Sequence, residues 1–288
     1  MSLRAVLVIA ELTLREVLRR RLLWVLLGLS VASVVFVGWA VTQLVAHARD
    51  SGMDEVRITL GISQVLVIIA FMFSFVLAMS GAFLAAPAIA TDVESGTALA
   101  MLARPISRAD LVLGRWLGLS LVTTGYAVAS SLLAIAVVAL VSGYVPPQPG
   151  VAVACLVGQA IATLTLALAL GTRLPSMTAG AIAVVCFGGA WLGGFLGSVA
   201  GLLRAQAIVP TIDLVRFAFP TDLLWRGVIH GLEPPVVLLL ARGLDPSRLT
   251  YDPFFALEPI APAAVLWSVA WVALVLGAGV LAFRRREL

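Results

Sequence analysis

The sequence predicts an all-α membrane protein with six transmembrane helices, an N-terminal interfacial helix, and short external helices between spans five and six. Three observations carry that prediction. Of 288 residues, 61% are hydrophobic and only 12% are charged, against about 45–50% and about 25% in a soluble domain. The charges are clustered, and the runs between clusters are long enough for helices of about 20 apolar residues, the length that crosses a bilayer core. Finally, all nineteen basic side chains are arginine, and they fall unevenly between alternate loops.

The first stretch, 1–21, is amphipathic. Leu3, Val6, Leu7, Ala10, Leu14, Val17 and Leu18 recur at helical spacing, while Arg4, Glu11, Arg15 and Arg19 face elsewhere. Glu11 with Arg15, and Glu16 with Arg20, are i,i+4 pairs in the favourable orientation. The density of charge from Arg15 to Arg21 disfavours insertion, at about 2.5–3.5 kcal/mol per central arginine. The helix is therefore expected to lie in the interface; the competing reading is an extension of the first span. Ala46-His47-Ala48 resembles a signal-peptidase site, but the apolar stretch before it exceeds the roughly 7–15 residues of a signal sequence. The segment is expected to stay as a span.

Charge-free runs extend over Leu22–Ala46, Ile58–Thr91, Trp116–Thr172, Leu174–Leu203 and Pro259–Phe283. The third is too long for one helix and is divided by the Pro- and Gly-rich turn at 143–150. Six spans result, near 22–46, 60–88, 112–142, 151–172, 176–203 and 260–283. The whole of 1–288 is read as one transmembrane domain, with 204–258 as an external segment before span six and 259–288 as span six and its tail. The second run, 34 residues, would be roughly 50 Å as straight helix. It is expected to tilt, to kink near Pro87, or to project from the bilayer. Segment 204–258 carries charges every few residues among large apolar side chains, which suits short helices capping the bundle from outside, or re-entering it, better than a solvated loop.

Twelve arginines fall on the loops that share a side with the termini, and seven lie opposite beside nine acids. The positive-inside rule then places both termini in the cytoplasm. Membrane lipid is an expected partner and nucleic acid is not.

Composition also excludes chemistry. Without lysine the chain has no Walker A loop and no Schiff base. Cys155 and Cys186, with His47 and His230, are too scattered for a zinc tetrad or a disulfide framework. No acid sits well inside a span, where ion-coupled carriers usually keep their ligands, and no span holds a hydrolytic constellation. No catalytic residue, no metal site and no cofactor of its own are expected. An ion-coupled carrier or channel stays as the alternative.

The pattern of the first intracellular loop marks it as the point of action. Thr91-Asp92-Val93-Glu94-Ser95-Gly96-Thr97 is followed by Arg104-Pro105-Ile106-Ser107-Arg108. Ser107 with Asp110 has the spacing of a capping box opening span three, and Thr97–Ala103 suits a short helix with charged ends. Such a helix fits a groove on another protein; the plainer reading is a capped turn between spans.

These residues resemble the "E-x-G-T … P-x-S-R … G-K/R" stretch of type-two ATP-binding-cassette (ABC) exporter permeases, continuing through Gly114-Arg115. Arginine at 115, where lysine is frequent, preserves the charge. The ending Phe283-Arg284-Arg285-Arg286-Glu287-Leu288 is similar to that family's F-R-R-R-E/D tail, and Val209-Pro210 with Asp213-Leu214 stands where many members carry a proline-containing external segment. The resemblance implies a transport subunit that is not itself an enzyme, in the cytoplasmic membrane. It would pair with a second permease, a copy or a relative, and with two cytoplasmic ABC ATPases that bind ATP and Mg. Asp92, Glu94, Ser95, Gly96, Thr97, Arg104, Pro105, Ser107 and Arg108 would belong to the coupling helix, and Glu11, Arg15 and Arg19 to a second docking surface. Spans two and five would line the path, with Phe71, Met72, Phe73, Phe75, Met79, Phe187, Trp191 and Phe195 suited to lipophilic cargo or to lipid and core alike.

Span five adds a stripe of its own: Gly189, Gly193, Gly197 and Gly201, with Gly188 and Gly194 beside it. Repeated GxxxG spacing permits close helix approach, as a dimer seam or against a neighbour in the same chain.

Overall fold

The computed structural model describes residues 2–19, 21–94, 107–202, 209–234, 254–256 and 258–286. These form helices α1 (Leu3–Leu18), α2 (Arg21–Asp50), α3 (Glu55–Ala85), α4 (Pro87–Glu94), α5 (Arg108–Ser142), α6 (Pro149–Gly171), α7 (Ser176–Leu202), α8 (Val209–Ala218), α9 (Thr221–Leu232) and α10 (Pro262–Arg284). Among the described residues there is no strand. Six stretches are long and apolar enough to cross a membrane: Ser30–Ala48, Glu55–Glu94, Arg108–Ser142, Pro149–Gly171, Ser176–Gly197 and Pro262–Arg284. The chain is a multi-pass helical membrane protein.

Local chemistry sets the ends of these helices. Span two breaks for one residue at Ala86, immediately before Pro87, and resumes as α4. The Ala86 amide still bonds Ala82, whereas proline has no N–H to continue the ladder. The combined 40 residues amount to roughly 60 Å, about twice the bilayer core, and α4 packs on α5, α6 and α7 with Ile89 and Ala90 buried. Span three ends at Gly143, which takes the left-handed conformation (φ 75°) and bonds Ala139 through its amide. Pro149 then opens α6 at its first turn.

The helix of span three starts at Arg108, directly after the Ser107 cap that the capping-box spacing predicts and four residues ahead of the span boundary expected near 112. Arg108 and Asp110 lie in the turn before 112 and Arg115 in the turn that follows it. Each of the three pairs with protein groups, as shown below, so they do not end the helix.

Span four, α6, is the central element. Two thirds of its apolar window is buried, against 17% for span six. It packs on α3, α5, α7, α9 and α10, and its small residues Ala152, Ala160, Ala162 and Ala167 let them approach. Three apolar clusters follow along the bundle. One, around Val41, Val67, Leu77, Ala160 and Ile229, joins spans one to four to α9. A second, around Ile9, Ile89, Leu111, Leu168 and Phe283, gathers α1 and the terminal end of the bundle. The third packs Phe187, Phe219 and Trp271 between spans two, four, five and six.

Of the 204–258 segment, α8 and α9 are described. Helix α9 is covered on most sides, with Leu224, Trp225, Val228, Ile229 and Leu232 buried, chiefly against α6. Buried Asp222 pairs with Arg216 of α8 (2.9 Å), and Arg216 also donates to the Gly194 carbonyl of α7. A Cβ on Gly194 would overlap the Asp222 carboxylate, so glycine is required for α7 to pass this ion pair. Tyr144 donates to the Leu232 carbonyl at 2.6 Å. Burial, with the nearby Glu233 carboxylate, pushes that phenol well above its ordinary pKa, so it stays a donor.

Candidate functional site

Both chain ends and the start of span three meet at one end of the bundle. The Ser2 amide donates to Asp110 Oδ1 (3.2 Å), and Arg108 reaches the carbonyls that end α10. This end also receives α4, the helix that leads into 95–106.

Helix α1 lies on α5 through two glycines. A Cβ on Gly114 would stand 2.6 Å from Ile9 Cβ, and one on Gly118 would stand 2.6 Å from the Ala10 carbonyl and 2.8 Å from Thr13 Cβ. The buried face of α1 is Val6, Ile9, Ala10, Thr13 and Val17. The apolar stripe expected from spacing therefore divides in two. Val6, Ala10 and Val17 face α5, while Leu3, Leu7 and Leu18 are exposed. At about 100° per residue, these leucines lie between the packed face and the charged face of Arg4, Glu11 and Arg15. Glu11 and Arg15 form the expected exposed pair (2.5 Å), and Arg19 is exposed. Glu16 turns towards α5, and Arg20 lies outside the described residues.

Arg115 is the focus of this end. Its side chain is 10% exposed, with one terminal nitrogen 2.5 Å from Glu16 Oε2 of α1 and the other 2.8 Å from Asp92 Oδ2 of α4. One guanidinium thus joins three helices that are distant in sequence. A lysine would carry the same charge as a single point and could not present two fixed nitrogens to two carboxylates. Arginine and lysine carry the same charge at 115, and the geometry distinguishes them. The spacing Gly114-x-x-x-Gly118 was the available signal that something packs closely at this turn.

The capping box is formed. Asp110 N donates to Ser107 Oγ, and Ser107 N donates to Asp110 Oδ2, each at 3.1 Å. Arg108 donates to the carbonyls of Phe283 and Arg284 (3.2 Å each) and to that of Arg286. It also lies over the Phe283 ring, 6.0 Å from the centroid. These carbonyls lie at and just beyond the C-terminal end of α10, a favoured place for a cation. Arg286 in turn donates to the Thr172 carbonyl after α6 (2.6 Å). Nothing in local sequence signals these long-range bonds. Arg108→Ala is expected to free the tail, since hydrogen bonds from a charged donor are worth about 1.5–3 kcal/mol each. Trypsin should then cut at Arg284–Arg286 markedly faster in the purified chain, and unchanged cutting would contradict the cap.

Of the other residues singled out, Asp92 is half-buried in the Arg115 bridge and Glu94 is exposed at the end of α4. Ser95, Gly96, Thr97, Arg104 and Pro105 lie outside the described residues. On span five, a Cβ on Gly193 would meet Val215 of α8 at 3.0 Å, while one on Gly189 would meet nothing within 4 Å. Gly197 is half-buried, and the surroundings of Gly201 fall outside what is described. Between spans two and five the aromatic side chains form a connected set. Phe71 touches Phe75, Trp191, Trp225 and Phe254, and Phe75 touches Phe187.

The six spanning stretches thus gather Ser2, α4, the start of α5 and the end of α10 at one end of a multi-pass membrane bundle. The family of ABC-2 family transporter proteins matches residues 7–288, nearly the whole chain, and the chain belongs to that family. No curated protein matches it.

Proposed function

We propose that this chain is the membrane half of an exporter in the cytoplasmic membrane, driven by two copies of a separate ABC ATPase that bind ATP and Mg. It works with a second permease, identical or related, and catalyses no reaction itself. The termini and the 91–108 loop face the cytoplasm, as the excess of arginine on that side favours. The ATPase docks on 91–108, with Glu94 at its edge, and on the Glu11, Arg15 and Arg19 face of α1.

The observation that carries this reading is the Arg115 bridge. It ties both proposed docking elements, through Glu16 and Asp92, to the base of span three. A push on either element is thereby delivered to a membrane-spanning helix. A bistable pair of bundles needs such a rigid link to turn nucleotide-driven closure into a change of access.

The test is co-expression with a family ATPase and purification in lipid nanodiscs. A complex of two permeases with two ATPases is expected by native mass spectrometry. Glu94 is exposed, so Glu94→Arg should leave the permease folded while weakening ATPase binding by about tenfold. Failure of any ATPase to bind, or transport driven by an ion gradient without one, would favour the ion-coupled carrier.

A further inference from the structure

Spans one to four enclose a second feature, separate from the docking end and from span five. A groove of about 420 Å³ runs between α2, α3, α5 and α6, closed towards α9 by Leu232. Its size lies within the roughly 300–1,000 Å³ of small-molecule pockets. No charged residue lines it, so a charged occupant would be left unpaired in a low-dielectric wall. The rim is apolar and open, with Phe36, Ile68 and Met72 each at least half exposed, on the faces that a membrane-spanning bundle turns to lipid.

One wall differs from the rest. Ser30 and Ser33 of α2 stand with Ser130 and Ser131 of α5. Ser30 shares a hydrogen bond with the Tyr126 hydroxyl, and Ser130 donates to the Tyr126 carbonyl (2.7 Å). Ser131 is 5% exposed, and its buried hydroxyl has no hydrogen-bond partner among the described residues. An unpaired hydroxyl in an apolar setting is costly, and the same group paired with a ligand oxygen is favourable. An apolar chain alone would fill the groove but leave Ser131 unpaired.

We infer that this groove binds an uncharged, single-chain lipophile carrying one hydroxyl or carbonyl oxygen, with that oxygen at Ser131 and the chain along spans one and two. The site does not depend on the proposed ATPase docking, and its test uses neither nucleotide nor partner. The full chain in nanodiscs is photolabelled with a diazirine-bearing long-chain alcohol, alongside the matching hydrocarbon that lacks oxygen and a phosphatidylcholine with a diazirine on its acyl chain. Label position is then mapped by mass spectrometry.

The alcohol is expected to label peptides containing Phe36 and Met72 several times more than the exposed span-six face at Leu266 and Val269. The hydrocarbon and the phospholipid should show no such preference. Ser131→Ala keeps the volume nearly unchanged and should weaken labelling by the alcohol roughly two- to tenfold, the value of one hydrogen bond. Ala134→Phe, which fills the groove, should abolish it, with the unfolding midpoint checking that the variant is folded. Equal labelling of the groove and span six, or an alcohol signal unchanged in Ser131→Ala, would overturn the assignment. Preferential labelling by the phospholipid would overturn it in favour of an ordinary annular lipid.

Discussion

Arg115→Met is expected to lower the unfolding free energy of the purified chain by about 2–3 kcal/mol and to loosen α1 from α5. Removing one partner of a fully buried ion pair costs about 3–5 kcal/mol, because the other charge is left without compensation. Here the Asp92 side chain is 16% exposed and Glu16 is 43% exposed. Both carboxylates can therefore recover some hydration, and the lower figure follows. Methionine retains the apolar stem and deletes only the fork. Arg115→Lys should fall between the two, since an ammonium can serve one carboxylate well but not both in this arrangement. Two measurements separate local from general damage. Denaturant unfolding reports the total, and trypsin cleavage at Arg15 reports whether α1 still lies on α5. If methionine leaves both unchanged, the bridge carries no strain between these helices and cannot couple them. If it weakens ATPase-driven transport far more than ATPase binding, the bridge transmits rather than docks.

That bridge also marks where sequence reading stops. The six spans were legible because apolar runs between arginine clusters state their own length, and lipid demands nothing more specific than length and apolarity. The capping box at Ser107 and Asp110 was legible because both partners lie within one helical turn. The partners of Arg108 and Arg115 were not, because these arginines look like water-facing flanks until their partners are known, and Phe283 and Glu16 are 175 and 99 residues away. The stripe on α1 was half legible for a related reason. Periodicity separates apolar from charged faces, but it cannot tell an apolar face that meets protein from one that does not. Glu16, read as a local partner for Arg20, which lies outside the described residues, also meets Arg115, a contact that no local spacing announces. On span five the glycine spacing announced close approach without naming the partner. At Gly193 and Gly194 the neighbours are Val215 and Asp222, in α8 and α9 of the same chain.

Gly118→Ala is expected to be the most disruptive single-methyl addition on span three, and Gly125→Ala on the same helix to be close to neutral. The two differ only in what a Cβ would meet. At Gly118 it meets the Ala10 carbonyl at 2.6 Å and Thr13 Cβ at 2.8 Å, and at Gly125 it meets nothing within 4 Å. A backbone carbonyl cannot move aside as a side-chain end can, so α1 as a whole must shift away from α5. Overpacking of this kind costs about 1–3 kcal/mol, partly offset by the gain in helix propensity of up to about 1 kcal/mol when alanine replaces glycine. Gly125→Ala receives that gain without the clash and should match or slightly exceed the parent in stability. Gly118→Val removes the offset and adds volume, so it should exceed Gly118→Ala in cost. The functional consequence follows from the same displacement, because moving α1 by even a fraction of an ångström lengthens the Glu16–Arg115 contact. Gly118→Ala should therefore reproduce the Arg115→Met phenotype in part, with faster cleavage at Arg15 and weaker coupling of ATP hydrolysis to transport, although every charged group is intact. If Gly118→Ala and Gly125→Ala behave alike in unfolding and in proteolysis, α1 does not lie in the Gly114–Gly118 notch, and the bridge loses the support that holds it in register.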